Sequence, residues 1–261
     1  MTVIQGIILG IIQGLTEFLP VSSSGHLVIG SQLLRTDLEG DPGFVIIVHF
    51  GSLLAVLIFF RQRIYRIFSE MIRLDSHGLR WGAWLIIGTI PAGVIGLLWE
   101  EKIEMLFNSS LVVGIAWLGT ALMLWTGEKY SRSIVTVDRM GFWRALLIGM
   151  AQALALLPGI SRSGSTLSMG LLVGVKRKDL IDYIFILSIP PIAGATLLKS
   201  IKWFGGSDPF TAAHVWGGIA AGISGYFAIA IMLKVVNAGK LGWFALYCGL
   251  AGVVTLIVTL F

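Results

Sequence analysis

Gln13-Gly14-Leu15-Thr16-Glu17-Phe18-Leu19-Pro20-Val21-Ser22-Ser23-Ser24-Gly25-His26 puts a polar kink inside an otherwise apolar stretch, 3–30. Proline lacks an amide hydrogen and clashes with the preceding turn, so a helix arriving from Val3 ends near Pro20. The serines behind it offer caps for a new helix. The stretch reads as helix, break, short helix, which is a re-entrant hairpin or a discontinuous span. A second such region covers 145–175, broken at Leu157-Pro158-Gly159 and by Ser161-Arg162-Ser163-Gly164-Ser165-Thr166. Gly10, Gln13, Ser22, Ser24 and Gly25 lie 139 positions before Gly149, Gln152, Ser161, Ser163 and Gly164, and Pro20 lies 138 before Pro158. That spacing marks an internal duplication. Its halves cover approximately 1–127 and 140–261 of a single integral membrane domain, 1–261.

The remainder of the chain fits the same solvent. Hydrophobic residues make up 56% and charged residues 13%, against about 25% charged in soluble domains. A soluble protein could not cover so much apolar surface. Six uninterrupted apolar stretches occupy 43–60, 80–98, 109–127, 182–199, 211–233 and 241–260. A crossing needs about 20 residues, so each stretch crosses or nearly crosses a bilayer. They neither alternate nor stop at strand length, which excludes a membrane β-barrel. The expected fold is all-α: a polytopic membrane helical bundle with an inverted internal repeat, six full spans and two re-entrant or broken-helix hairpins. Glycine, at 33 residues, suits close helix approach, and the 9 tryptophans suit the headgroup level. Cys248 stands alone, so there is neither a disulfide framework nor a zinc pattern. The first apolar stretch leads into the polar motif instead of a cleavage site and reads as mature protein.

The net charge of +5 bears on topology, not on nucleic acid. Arg61, Arg63, Arg66 and Arg73 dominate the loop after the 43–60 stretch, and Lys129, Arg132, Arg139 and Arg144 that after 109–127. Glu100, Glu101 and Glu104 dominate the loop between. The basic loops are expected in the cytoplasm, together with Lys176, Arg177, Lys178, Lys234 and Lys240. Asp37, Glu39, Asp41 and both termini then lie outside. The first hairpin enters from outside and the second from inside, so the halves are inverted and their breaks face each other near the midplane.

Ionisable groups in apolar spans need a reason. Glu17, His26, His49 and Arg162 are such groups. Gln13 and Glu17 are four apart and share a helix face. Ser22, Ser23, Ser24 and Gly25 follow the break, where unpaired amides and hydroxyls favour phosphate. His26 suits a general base or a nucleophile. Arg162 carries a planar fork for phosphate and needs an anion, either Glu17 or a substrate phosphate. Ser161, Ser163, Gly164, Ser165 and Thr166 add donors around it. These elements compose a phosphoryl-transfer pocket inside the bilayer, open sideways to an amphiphile with a phosphorylated head. His49 reads as packing or a local hydrogen bond, and His77 and His214 receive no role. The competing class is an inverted-repeat transporter or flippase for an anion or a phosphorylated polyprenyl lipid.

The motif over 13–26, the motif over 158–166 and Gly51-Ser52-Leu53-Leu54-Ala55-Val56 resemble the undecaprenyl-diphosphate phosphatase family of the bacitracin-resistance type. The resemblance spans essentially the whole chain. It implies hydrolysis of undecaprenyl diphosphate to undecaprenyl phosphate and inorganic phosphate, which recycles the lipid carrier for cell-wall synthesis. It also implies a bacterial cytoplasmic-membrane enzyme, a pocket open to the outer face and a Mg²⁺ or Ca²⁺ requirement. By the same resemblance Glu17, His26 and Arg162 are essential and Ser23 is the important motif serine. Gln13 stands where many members carry Glu, so it orients substrate or metal and does not titrate. Glu17 is the carboxylate expected near the metal, which the substrate largely holds. Whether Ser23 or His26 is the nucleophile stays open, as does the choice between monomer and homodimer.

Overall fold

The computed structural model describes residues 1–38, 40–107, 109–204 and 210–261; Glu39, expected on the outer face, lies outside them. The described chain is helical, with one isolated parallel bridge between Val135 and Val175. Among the described residues thirteen α-helices run α1 Val3–Phe18, α2 Ser23–Leu33, α3 Pro42–Phe59, α4 Arg61–Ile72, α5 Ser76–Leu98, α6 Glu100–Leu106, α7 Ser110–Lys129, α8 Gly141–Leu154, α9 Arg162–Leu172, α10 Arg177–Leu187, α11 Ile189–Phe204, α12 Ala212–Asn237 and α13 Gly242–Leu260. Six segments among the described residues are long and apolar enough to cross a membrane: α3, α5, α7, Arg177–Ile201, α12 and α13. The chain is an all-α polytopic membrane bundle.

Local chemistry sets the ends. Asp41 caps α3 by accepting from the Phe44 amide at 3.1 Å, with Pro42 in the first turn. The stretch expected at 182–199 extends over 177–204 and is split at Ser188. Pro190 and Pro191 follow that split and cannot donate to the preceding carbonyls, while the Ser188 hydroxyl turns back to the Phe185 carbonyl at 2.6 Å. The 80–98 stretch starts earlier, at Ser76, because Asp75 caps it through the His77 amide at 2.8 Å.

The two polar regions each form a helix pair that returns on itself. Gln5 donates to the Leu34 carbonyl at 3.0 Å, tying the far end of α2 to the start of α1. Arg144 Nε donates to the Val173 carbonyl at 2.9 Å and does the same for α8 and α9. Helix α1 packs on α12 and α8 packs on α5, while α7 lies along α13. Both of the first contacts are backbone-close. A Cβ on Gly10 would sit 2.2 Å from the Gly217 carbonyl oxygen, and one on Gly149 would sit 2.7 Å from that of Gly88. Lipid gives helices no hydrophobic push toward each other, so tight contacts of this kind supply the association.

Of the tryptophans expected at headgroup level, Trp143 and Trp243 are exposed, at 72% and 71%. Trp81 and Trp117 depart from that expectation and are buried. Their indole N–H groups have found partners inside, Asp138 Oδ1 at 2.9 Å and the Val21 carbonyl at 2.8 Å.

Gly10→Ala should destabilise the bundle by about 1–3 kcal/mol, because backbone stands where the methyl must go. Gly93→Ala, with nothing within 4 Å of the new Cβ, should be neutral or stabilise by about 0.5–1 kcal/mol. Thermal unfolding of both variants in one detergent measures the contrast.

Candidate active site

Each break is built the same way. Helix α1 ends at Phe18, and Ser22 caps α2 by accepting from the Gly25 amide at 3.4 Å. Helix α8 ends at Leu154, and Ser161 caps α9 by accepting from the Gly164 amide at 3.1 Å. The hydroxyls of Ser22 and Ser24 lie 3.1 Å apart and those of Ser161 and Ser163 lie 3.2 Å apart. The chain between helices must turn sharply. Gly159 does so at φ +95°, whereas Ser22, which has a side chain, is held at φ 68°. A non-glycine residue there stores strain that its surroundings must over-determine.

The breaks meet at Glu17. Arg162 Nη2 donates to Glu17 Oε1 at 2.5 Å. On the other oxygen, Glu17 Oε2 accepts from the Ser23 hydroxyl at 2.5 Å and from Gln13 Nε2 at 2.9 Å. The side chains of Arg162 and Glu17 are 16% and 8% exposed, so little solvent reaches the pair. Two more bonds lace the breaks together: the Gly159 amide to Ser24 Oγ at 3.4 Å and the Ser163 hydroxyl to the Leu19 carbonyl at 3.0 Å. Gln13 Oε1 is buried with no protein partner. A buried carbonyl oxygen left bare costs about 1–3 kcal/mol, so it is poised for a donor or a cation brought by a ligand.

Helix α7 holds both breaks from one side. Trp117 Nε1 donates to the Val21 carbonyl at 2.8 Å. Close along the same helix, the buried Thr120 hydroxyl donates to the Gly159 carbonyl and accepts from the Ser161 amide, both at 3.0 Å. Cys248 on α13 adds a long contact from its thiol to the Pro20 carbonyl, 3.6 Å.

Residues 6–254 match the protein family described as Bacitracin resistance protein BacA. The chain belongs to that family. It is similar to proteins named undecaprenyl-diphosphatase from Methanosphaera stadtmanae, 38% identical with 98% of each chain covered, and from Bacteroides fragilis, 39% identical with 98% of this chain and 97% of that one covered. A protein of that name from Bacteroides thetaiotaomicron is 38% identical over the full length of both chains.

Within this BacA-family chain the structure gathers Gln13, Glu17, Ser23 and Arg162 into one hydrogen-bonded cluster. Ser22, Ser24, Gly25, Ser161 and Gly164 form the caps around it. The hydroxyls of Ser165 and Thr166, expected to face a ligand, turn back onto the Arg162 carbonyl at 3.1 and 2.7 Å. Inside a helix that carbonyl is the nearest acceptor, which is the usual fate of a hydroxyl there.

His26 is drawn elsewhere. Its Nδ1 lies 2.7 Å from the Ser22 carbonyl and its Nε2 lies 2.6 Å from the Tyr247 hydroxyl, with the two rings stacked. A carbonyl only accepts, so Nδ1 carries the hydrogen. In the neutral ring Nε2 then accepts from Tyr247. His49 bonds the Val45 carbonyl through Nδ1 at 2.8 Å and also lies within electrostatic reach of Glu17. Sequence reasoning missed Trp117, Thr120 and Tyr247. Their partners lie 96, 39 and 221 residues away, and no local motif announces them.

Thr120→Val keeps the side-chain shape and strips the Gly159 carbonyl and the Ser161 amide of their shared partner. Stability should fall by about 1–3 kcal/mol. Because Ser161 precedes Arg162, phosphate release should fall as well. Melting and turnover of the purified variant check both.

Proposed function

We propose that the chain hydrolyses undecaprenyl diphosphate to undecaprenyl phosphate and inorganic phosphate, recycling the lipid carrier of cell-wall synthesis within the cytoplasmic membrane. Near-full-length similarity to proteins bearing the name undecaprenyl-diphosphatase supports the reaction. The observation that carries the mechanism is that Ser23 and Arg162 sit on the two oxygens of the same carboxylate.

The diphosphate head enters sideways between helices, with its tail left in hydrocarbon. Arg162 then exchanges Glu17 for substrate phosphate and stabilises the charge that spreads over the transferring group. The Ser23 oxygen attacks the terminal phosphorus as its proton passes to Glu17 Oε2, already in hydrogen-bond contact. The bridging oxygen leaves with undecaprenyl phosphate. Water next attacks the phosphoserine, Glu17 returns its proton to the departing Ser23 oxygen, and inorganic phosphate leaves carrying the water oxygen. The amides and hydroxyls of the two caps, Ser22, Ser24, Gly25, Ser161, Ser163 and Gly164, line the phosphate cradle, with Ser165 and Thr166 fixing the turn that holds Arg162. His26 acts by position: it ties down the strained Ser22 carbonyl, and Tyr247 fixes its ring.

A Mg²⁺ or Ca²⁺ ion fits this donor set only in part. The bare Gln13 Oε1 and the Glu17 carboxylate are hard oxygen ligands. Among the described residues no group of three His, Cys, Asp or Glu forms a metal cage. Substrate phosphate oxygens would complete such a site, where the ion would offset diphosphate charge.

The two helix pairs are re-entrant hairpins of an inverted repeat, with halves near 1–127 and 140–261 in one domain. The same cap bonds and serine pairs recurring at a spacing of 139 support that reading. So does the exchange of partners, α1 on α12 and α8 on α5. The basic loops, read as cytoplasmic, support both termini outside, and the family resemblance supports a pocket open to the outer face.

In lipid vesicles with polyprenyl diphosphate and Mg²⁺, the purified protein should release phosphate. Ser23→Ala and Glu17→Gln should each lose on the order of 10³-fold or more, and Arg162→Ala most of the rate. Turnover within a few-fold of the parent in Ser23→Ala would assign the attack to another group, and no phosphate release by the parent would favour a transporter.

A further inference from the structure

On the basic face of the bundle the start of α5, the 134–139 segment and the turn before α10 enclose a cavity of about 500 Å³, which shares no residue with the candidate active site. Arg80, Arg139 and Lys176 line it, one from each of these three segments. All three are exposed, and none has an ion-pair partner among the described residues. The walls are fixed to each other. Val135 and Val175 form the parallel bridge, and the Lys176 amide donates to the Val135 carbonyl at 2.8 Å.

The acid in the lining is already engaged. Asp138 accepts from Trp81 Nε1 at 2.9 Å and faces His77 Nε2 at 3.2 Å. The far nitrogen of His77 bonds Glu70, which also holds Arg66 at 2.8 Å. These contacts leave the cavity with three cations around one satisfied carboxylate. Lys176 is the N-cap of α10 and its side chain carries no acceptor oxygen, so no side chain caps this 11-residue helix, although the Asp179 amide bonds the Lys176 carbonyl at 3.1 Å. The Ser76 and Thr136 hydroxyls complete a lining suited to a multidentate oxyanion.

We propose that this cavity binds the phosphate headgroup of an anionic membrane lipid. Two spans, α5 and Arg177–Ile201, begin at its rim, which places it where headgroups lie. Ile134 in the lining is 59% exposed and offers the apolar margin that an acyl chain follows. Basic pockets between membrane helices at an interface recognise lipid phosphate in this way. The bound headgroup bridges α5 to the turn that follows α9, the helix bearing Arg162. The site is independent of the proposed hydrolysis and is tested by binding.

The test uses the full-length protein, delipidated in a neutral detergent, with short-chain phosphatidylglycerol, phosphatidylcholine or inorganic phosphate. Bound ligand is counted by native mass spectrometry. Phosphatidylglycerol should bind at least about ten-fold tighter than phosphatidylcholine. That preference should vanish in the Arg80→Gln/Arg139→Gln/Lys176→Gln variant, whose phosphate release and melting temperature stay at the parent's values. Equal retention of phosphatidylglycerol by parent and variant would overturn the site. Inorganic phosphate binding as tightly as the lipid would overturn the lipid as its occupant.

Discussion

The contact between Arg162 and Glu17 is the constraint on which this architecture turns. A charged side chain in the middle of an apolar bundle is costly, and each of these two would be intolerable alone. Together they neutralise each other, and Ser23 and Gln13 satisfy the second carboxylate oxygen. Glu17 stands on the first half of the chain and Arg162 on the second, 145 positions later. One ion pair therefore both removes an electrostatic penalty and fixes how two broken helices face each other. In the proposed mechanism the pair opens, because a diphosphate offers Arg162 a better-matched anion than a carboxylate does.

Breaking a helix inside a membrane exposes amides and carbonyls where no bulk water can serve them. Serine caps satisfy the amides of α2 and α9. Helix α7 serves three more backbone groups, the Val21 and Gly159 carbonyls and the Ser161 amide, through Trp117 and Thr120. The serines that cap the two helices also flank the Glu17–Arg162 pair, and in the proposed mechanism the same caps receive the phosphate.

Much of this was readable in the chain. Pro20 and Pro158 announced the breaks, the serines behind them announced new helices, and the spacing of Gln13 and Glu17 put both on one face. Arg162 needed an anion, and Glu17 was one of two candidates; the ion pair resolves that choice for the resting state. What stayed hidden depends on the third dimension. Thr120 and Trp117 look like ordinary members of an apolar span, and Tyr247 finds His26 only because α13 folds back beside α2. Ser165 and Thr166 carry the chemistry of ligand donors, yet helical geometry offers each a nearer acceptor. The split at Ser188 was written in Pro190 and Pro191, but apolar composition across the stretch concealed it.

A double-mutant cycle on the ion pair tests this account most directly. Unfolding free energies in one detergent, without substrate, are compared for the parent, Glu17→Gln, Arg162→Met and the double variant. Each single change strands a buried charge and should cost about 3–5 kcal/mol, whereas the double change removes both charges and should cost less than the sum by about 1–3 kcal/mol. Additive losses, within about 0.5 kcal/mol, would mean that the two side chains do not hold the breaks together.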